Sequence, residues 1–153
     1  MPNKPLKQFC DFSYDVCKTY GFSDVQAALV SEVWASPEPL TYADLAKQTG
    51  YSLATISTTI SMLKPFDMVA TERRPGSKKL YVTRGEDMVP RIQKKVEQVQ
   101  QVEINPLKEK LPTWIRQAKK KEDRKYLQDL QKQIHTLDEI FKDIRKAFAK
   151  REQ

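Results

Sequence analysis

The chain has 153 residues, 27 Lys and Arg against 20 Asp and Glu, and a formal net charge of +7. Four Gly are too few for glycine-rich phosphate loops. One His and two Cys fall short of the four N/S ligands of a closed zinc site and reach three plus water only if all of them converge, so no zinc site is expected. The length suggests one domain, or one small domain with an appendage, and a hydrophobic fraction of 39% beside a charged fraction of 31% suits much exposed helix surface.

No run approaches the length of a membrane span, and MPNKPLKQFCDFSYDV lacks the apolar centre of a signal peptide. The expected address is cytoplasmic, with Cys10 and Cys17 as reduced thiols.

Leu6 to Tyr20 is expected to be helical. Leu6, Phe9, Cys10, Val16, Cys17 and Tyr20 recur at helical steps, and Gly21 is a natural stop. Ser23 with Gln26 forms a capping box for a second helix, whose buried stripe is read as Val25, Ala28, Leu29, Val33 and Trp34. Ser36-Pro37-Glu38-Pro39 ends it. Thr41 with Asp44 opens a third, two-turn helix with Leu45 and Ala46 inward, closed by Gly50. Ser52 caps a fourth. Ile56, Ile60 and Leu63 share its inner face, while Leu53, Ala54, Ser57, Thr58 and Ser61 point outward. Pro65 ends or kinks its last turn.

Met68–Arg73 and Lys79–Thr83 are then short and β-prone, joined through Arg74-Pro75-Gly76-Ser77-Lys78. Pro-Gly is strong turn chemistry, so this is a hairpin. From Glu86 onward the pattern is helical, with an apolar row at Val89, Ile92, Val96 and Val99. Asn105 reads as an N-cap with Pro106 at N1, followed by Leu107, Leu111, Trp114 and Ile115 around Pro112. Lys119–Asp123 reads as an inter-helix turn. Leu127, Leu130, Ile134, Leu137, Phe141, Ile144 and Phe148 then keep a heptad seam, with His135 solvated beside it. Helix period alone leaves open whether that coiled-coil-like seam pairs within the chain, across a dimer or with a foreign partner. Asp138 and Lys142 are expected to form a weak exposed pair.

Two short helices, a tight turn and a basic hairpin make a winged-helix plan. The second helix of the pair would enter the major groove of double-stranded DNA. Residues 69–85 hold five bases against one acid, whereas residues 1–68 hold five bases against seven acids. The positive charge is therefore concentrated where phosphates would be neutralised.

Residues 36–82, SPEPLTYADLAKQTGYSLATISTTISMLKPFDMVATERRPGSKKLYV, resemble the winged helix of the MarR superfamily of transcriptional regulators. Within it they are most similar to the GbsR-like branch, the glycine-betaine-synthesis repressor type. Pro-Glu-Pro-Leu-Thr before a short helix carries the resemblance. So do Thr49-Gly50-Tyr51-Ser52 as the turn, Ile56-Ser57 in the recognition helix, and Leu63 to Val69 as the exit to the wing.

The resemblance covers about a third of the chain. It implies a homodimer whose terminal helices form the interface and whose two winged helices bind a pseudo-palindromic operator. It also admits a small-molecule effector. The chain departs from the family pattern at Asp67, which stands where a Gly is usual. It departs again on the recognition helix, whose outward face lacks the Arg or Lys that family members commonly carry. Arg–guanine readout is therefore absent there, and sequence preference is expected to be modest or to lean on DNA shape.

The expected fold class is mainly α: a winged helix-turn-helix between an N-terminal helix and long C-terminal helices. Its segments are 1–21 (N-terminal, dimerisation), 22–85 (DNA binding) and 86–153 (C-terminal, dimerisation). DNA contacts are assigned to Thr41, Ser52, Ala54, Thr55, Ser57, Thr58, Ser61 and Lys64 around the recognition helix. Arg73, Arg74, Lys78 and Lys79 are assigned to the wing. Residues 108–125, with eight cations and three acids, read as a solvated helix surface, with a second DNA contact as the alternative. Phe9, Phe12, Tyr14, Tyr20, Trp34 and Trp114 read as core aromatics, with an effector cage as the alternative. Asp11 and Asp15 argue against a redox role for the thiols, because a sensor cysteine needs an electropositive setting.

No nucleophile–base pair, metal spacing or phosphate loop is present, so neither an enzyme nor a cofactor is expected. The other reading is a protein-interaction or assembly module that docks its partner through the winged helix and the C-terminal seam.

Overall fold

A computed structural model describes residues 3–151. The ends of the expected first and last segments, residues 1–2 and 152–153, lie outside them. The chain divides between Asp87 and Met88 into two compact units.

The first unit opens with α1 (Lys4–Thr19) and α2 (Asp24–Ala35). The apolar face of α1 differs from the expected one. Ser13 and Cys17 are buried, whereas Phe9 and Tyr20 face solvent. The capping box of α2 forms as expected: Gln26 N donates to Ser23 Oγ at 3.3 Å and Ser23 N to Gln26 Oε1 at 3.0 Å. Burial on α2 is wider than a stripe. Ala27, Leu29, Val30, Ser31, Val33 and Ala35 are all buried, because α1, α3 and α4 surround it. Ser31 is tolerated there because its hydroxyl donates to Ala27 O at 2.8 Å.

A two-residue strand, β1 (Leu40–Thr41), was not legible in the sequence. It is followed by α3 (Tyr42–Thr49) and α4 (Leu53–Leu63), then a 3₁₀ turn at Lys64–Phe66. Gly50 ends α3 at φ 77°, which a residue with a Cβ adopts only at a cost. The hairpin is β2 (Ala70–Arg73) and β3 (Leu80–Thr83). The sheet is antiparallel in the order β1-β3-β2, with Leu40 opposite Val82 and Glu72 opposite Tyr81. This α2-β1-α3-α4-β2-β3 succession is the winged-helix arrangement.

Ile56, Ile60 and Leu63 bring α4 onto the core, each at most 1% exposed. They join Leu29, Leu45, Val69 and Val82 in one apolar cluster. Each such side chain contributes about 1.5–3 kcal/mol on burial, which fixes how α4 is rotated about its axis.

The second unit holds α5 (Met88–Val99), a π-helical turn (Gln100–Ile104), α6 (Asn105–Gln117) and α7 (Lys121–Ala149). Asn105 is not an N-cap. It has helical φ and ψ, its N–H bonds to Gln100 O five residues back, and its Oδ1 accepts from Gln100 Nε2 at 2.7 Å. The widened turn directly precedes Pro106, whose ring would clash with the carbonyl four residues back in a regular helix.

The second core is Ile104, Leu111 and Ile134, with Val99, Leu107, Leu127, Leu130 and Phe141 packed against it. Part of the heptad seam thus pairs within the chain, while Leu137 of the seam, and Ile140 outside it, stay exposed. His135 is exposed, as expected. Asp138 is not in a weak exposed pair. It is 3% exposed and accepts from Lys108 Nζ at 2.6 Å and from Gln100 Nε2 at 2.8 Å, with Lys142 Nζ at 3.3 Å. These partners, Lys108 first, hold its carboxyl far below the ordinary carboxylate range. Among the described residues no helix is long and apolar enough to cross a membrane.

Candidate nucleic-acid interface

With Ile56, Ile60 and Leu63 inward, helical geometry turns Leu53, Ala54, Ser57, Thr58 and Ser61 outward, and all five are exposed. Ser57 and Thr58 make no side-chain hydrogen bond among the described residues, so their hydroxyls are available to a ligand. Ser61 Oγ donates to Ser57 O at 3.0 Å.

Ser52 and Thr55 are more committed. Ser52 Oγ accepts from Thr55 N at 3.1 Å and lies 2.9 Å from Thr55 Oγ1, so the pair caps α4. Thr41 is similarly engaged, and it is half-buried. Its Oγ1 donates to Asp44 Oδ2 at 2.6 Å and accepts from Asp44 N at 3.1 Å. The Thr41 hydroxyl and then its backbone N–H hold the Asp44 carboxyl below its usual range. Lys64 is exposed where α4 passes into the 3₁₀ turn.

The wing carries the charge. Arg73, Arg74, Lys78 and Lys79 are all exposed around a turn in which Ser77 N donates to Arg74 O at 3.1 Å. Cross-strand pairing sets Tyr81 opposite Glu72, and Arg74 lies over the Tyr81 ring at 4.4 Å, with its Nε 3.9 Å from Glu72. The cation–π contact orients the guanidinium without burying it. Sequence reading did not single out Tyr81. A register of alternate residues across the hairpin is the signal that could have done so.

Asp67 adopts the left-handed conformation at φ 53°, which Asp tolerates better than most residues. Trp34 Nε1 donates to Met68 O at 2.8 Å, tying α2 to the segment entering the wing. Met62 and Phe66, both exposed near the end of α4, were also not singled out.

Phe9, Phe12 and Tyr20 face solvent, Tyr14 and Trp34 pack on the first core, and Trp114 belongs to the second unit. No cage encloses them within either unit among the described residues. Among the same residues no three His, Cys, Asp or Glu side chains gather as a metal site.

No family model matches the chain, and no curated protein matches it in sequence. Solved structures do match. One described as a transcriptional regulator has a TM-score of 0.66 at 13% identity, covering 95% of this chain and 99% of that one. A second is a point mutant of MepR from a multidrug-resistant S. aureus clinical isolate. Its TM-score is 0.43 at 16% identity, over 88% of this chain and 90% of that one. The first likeness is one of fold. The second is too low to bear on the fold.

Proposed function

We propose that the protein is a DNA-binding transcriptional regulator of the MarR type, of the GbsR-like kind, acting as a homodimer. One observation carries this reading: a winged helix whose exposed α4 face adjoins a hairpin with four exposed cations at its tip. α4 would lie in the major groove. Ala54 and Leu53 suit thymine methyls, and Ser57, Thr58 and Ser61 suit base edges or phosphates. Arg73, Arg74, Lys78 and Lys79 would bind the backbone or the minor groove, with Lys64 on a neighbouring phosphate. The half-sites of a pseudo-palindromic operator would then lie about one helical turn apart or a multiple of it. The three segments at 1–21, 22–85 and 86–153 divide the work into dimerisation, DNA binding and dimerisation. An effector would act by favouring one of two dimer geometries, through unequal affinity for them.

The test is to incubate the purified chain with fragmented genomic DNA at low and moderate salt and to sequence what stays bound. An enriched inverted repeat supports the reading. Uniform recovery argues for sequence-independent binding, and no recovery at low salt ends the regulator reading.

A further inference from the structure

We propose that the turn between α6 and α7 is a second polyanion surface, taking the phosphate backbone of duplex DNA without reading its bases. The structure separates the cations of residues 108–125. Lys108 turns inward to Asp138. Arg116, Lys119, Lys120, Lys121, Arg124 and Lys125 remain exposed within ten residues, and among the described residues none makes an ion pair.

Their neighbours Glu122 and Asp123 occupy the first turn of α7, where they complement the positive end of the helix. Farther along α7 the lysines are balanced: Lys132 by Asp129, Lys142 by Glu139 and Lys146 by Asp143. Within the second unit, the described lysines and arginines without an ion pair are thus densest at this tip. In the wing Arg74 has Glu72 beside it and Arg84 pairs with Asp87, while Arg73, Lys78 and Lys79 make no ion pair among the described residues. Crowded like charges repel, and a chain already at +7 gains nothing in solubility from placing them together.

Two arginines are held in place. Arg124 Nη2 donates to Ala118 O at 2.9 Å and Arg116 Nη2 to Thr113 Oγ1 at 3.1 Å, each guanidinium keeping further donors.

The composition selects the partner. Residues 116–125 read RQAKKKEDRK, and Ala118 is their one apolar residue. A membrane-surface helix needs an apolar face to insert, and a protein interface needs a buried anchor. Residues 116–125 offer neither, and the exposed aromatics that flank them, Trp114 and Tyr126, are single side chains rather than an apolar face. Binding by charge and counterion release does not require one. The choice of DNA as the polyanion rests on the reading proposed above.

The experiment uses the full chain and a labelled duplex of arbitrary sequence, ~30 bp long, with affinity measured by anisotropy from ~50 to ~200 mM salt. Each phosphate contact contributes about 0.9 to the slope of log affinity against log salt. If K119Q/K120Q/K121Q/K125Q removes three contacts, the parent loses ~40-fold more affinity than the variant across that range. The matching lysine-to-arginine variant should keep the parent slope, and far-UV circular dichroism should be unchanged in both. A glutamine variant with the parent slope overturns the inference. So does a variant that loses only its binding to phosphatidylserine vesicles. If R73A/R74A/K78A/K79A alone flattens the slope, the regulator reading stands and this inference fails. If the parent binds no duplex at low salt, both fail.

Discussion

Replacing Asp67 separates backbone strain from charge at the junction of α4 and the wing. Asp67 is the one non-glycine residue with positive φ among those described, at φ 53° and ψ 25°. Two hydrogen bonds define its turn: Asp67 N donates to Lys64 O at 3.0 Å and Met68 N to Leu63 O at 3.4 Å. The same pair closes α1, where Gly21 N donates to Lys18 O at 3.0 Å and Phe22 N to Cys17 O at 3.1 Å. There the left-handed position is held by glycine.

That conformation costs an L-residue about 1–2 kcal/mol through Cβ crowding, with Asp toward the lower end. Glycine removes the strain but gives about 0.4–1 kcal/mol back to the unfolded chain as entropy. Asp67 is exposed, so no packing is lost. Asp67→Gly should therefore be as stable as the parent or more so, and Asp67→Ala less stable than Asp67→Gly by about 1 kcal/mol. That gap corresponds to ~4 °C in Tm.

Trp34 donates to Met68 O beside this turn, so its fluorescence in a Trp114→Phe background reports urea unfolding of the right unit. Asp67 is also the only acid between Asp44 and Glu72. Both variants should consequently raise DNA affinity equally while differing in stability. An alanine variant as stable as the glycine variant would refute the backbone account.

Other outcomes can be checked alongside it. Ile60 is fully buried on the inner face of α4, so Ile60→Ala should cost about 2–5 kcal/mol in urea unfolding. A loss near zero would mean that α4 is not packed through this face. Burial raises the thiol pKa of both Cys10 and Cys17, and Cys17 is the more buried. Iodoacetamide at neutral pH should alkylate both more slowly than a free thiol, Cys17 slowest, whereas rapid labelling would revive the redox reading.

The depressed Asp138 pKa gives a signed pH dependence. Its stabilisation is complete above the unfolded value of about 3.9 and is lost as pH falls toward the lower folded value. Asp138→Asn should weaken the second unit at neutral pH and narrow its gap from the parent in acid, followed by Trp114 fluorescence. Parallel loss in parent and variant across that range would contradict the proposed partners.

Local signals of the first unit were legible because they depend on neighbours in sequence. The caps at Ser23, Thr41 and Ser52 form as their spacing indicates, and the step of Ile56, Ile60 and Leu63 sets which face of α4 is inward. Short-range chemistry therefore also determined that Leu53, Ala54, Ser57, Thr58 and Ser61 face outward. The strand at Leu40–Thr41 escaped because two residues carry no alternation. It exists only because Val82 and Tyr81 offer it a ladder.

Asp138 shows the same limit more sharply. Its neighbours at i+1 and i+4, Glu139 and Lys142, suggest a solvated helix face. Gln100 and Lys108, distant in sequence, turn it into a buried ion with three donors. Sequence alone thus determined the helices, the caps of the first unit and the winged-helix plan. Only the tertiary structure decided which charges are spent inside the protein and which remain at the surface, because a charge finds its burial and its partners through contacts that chain order does not record.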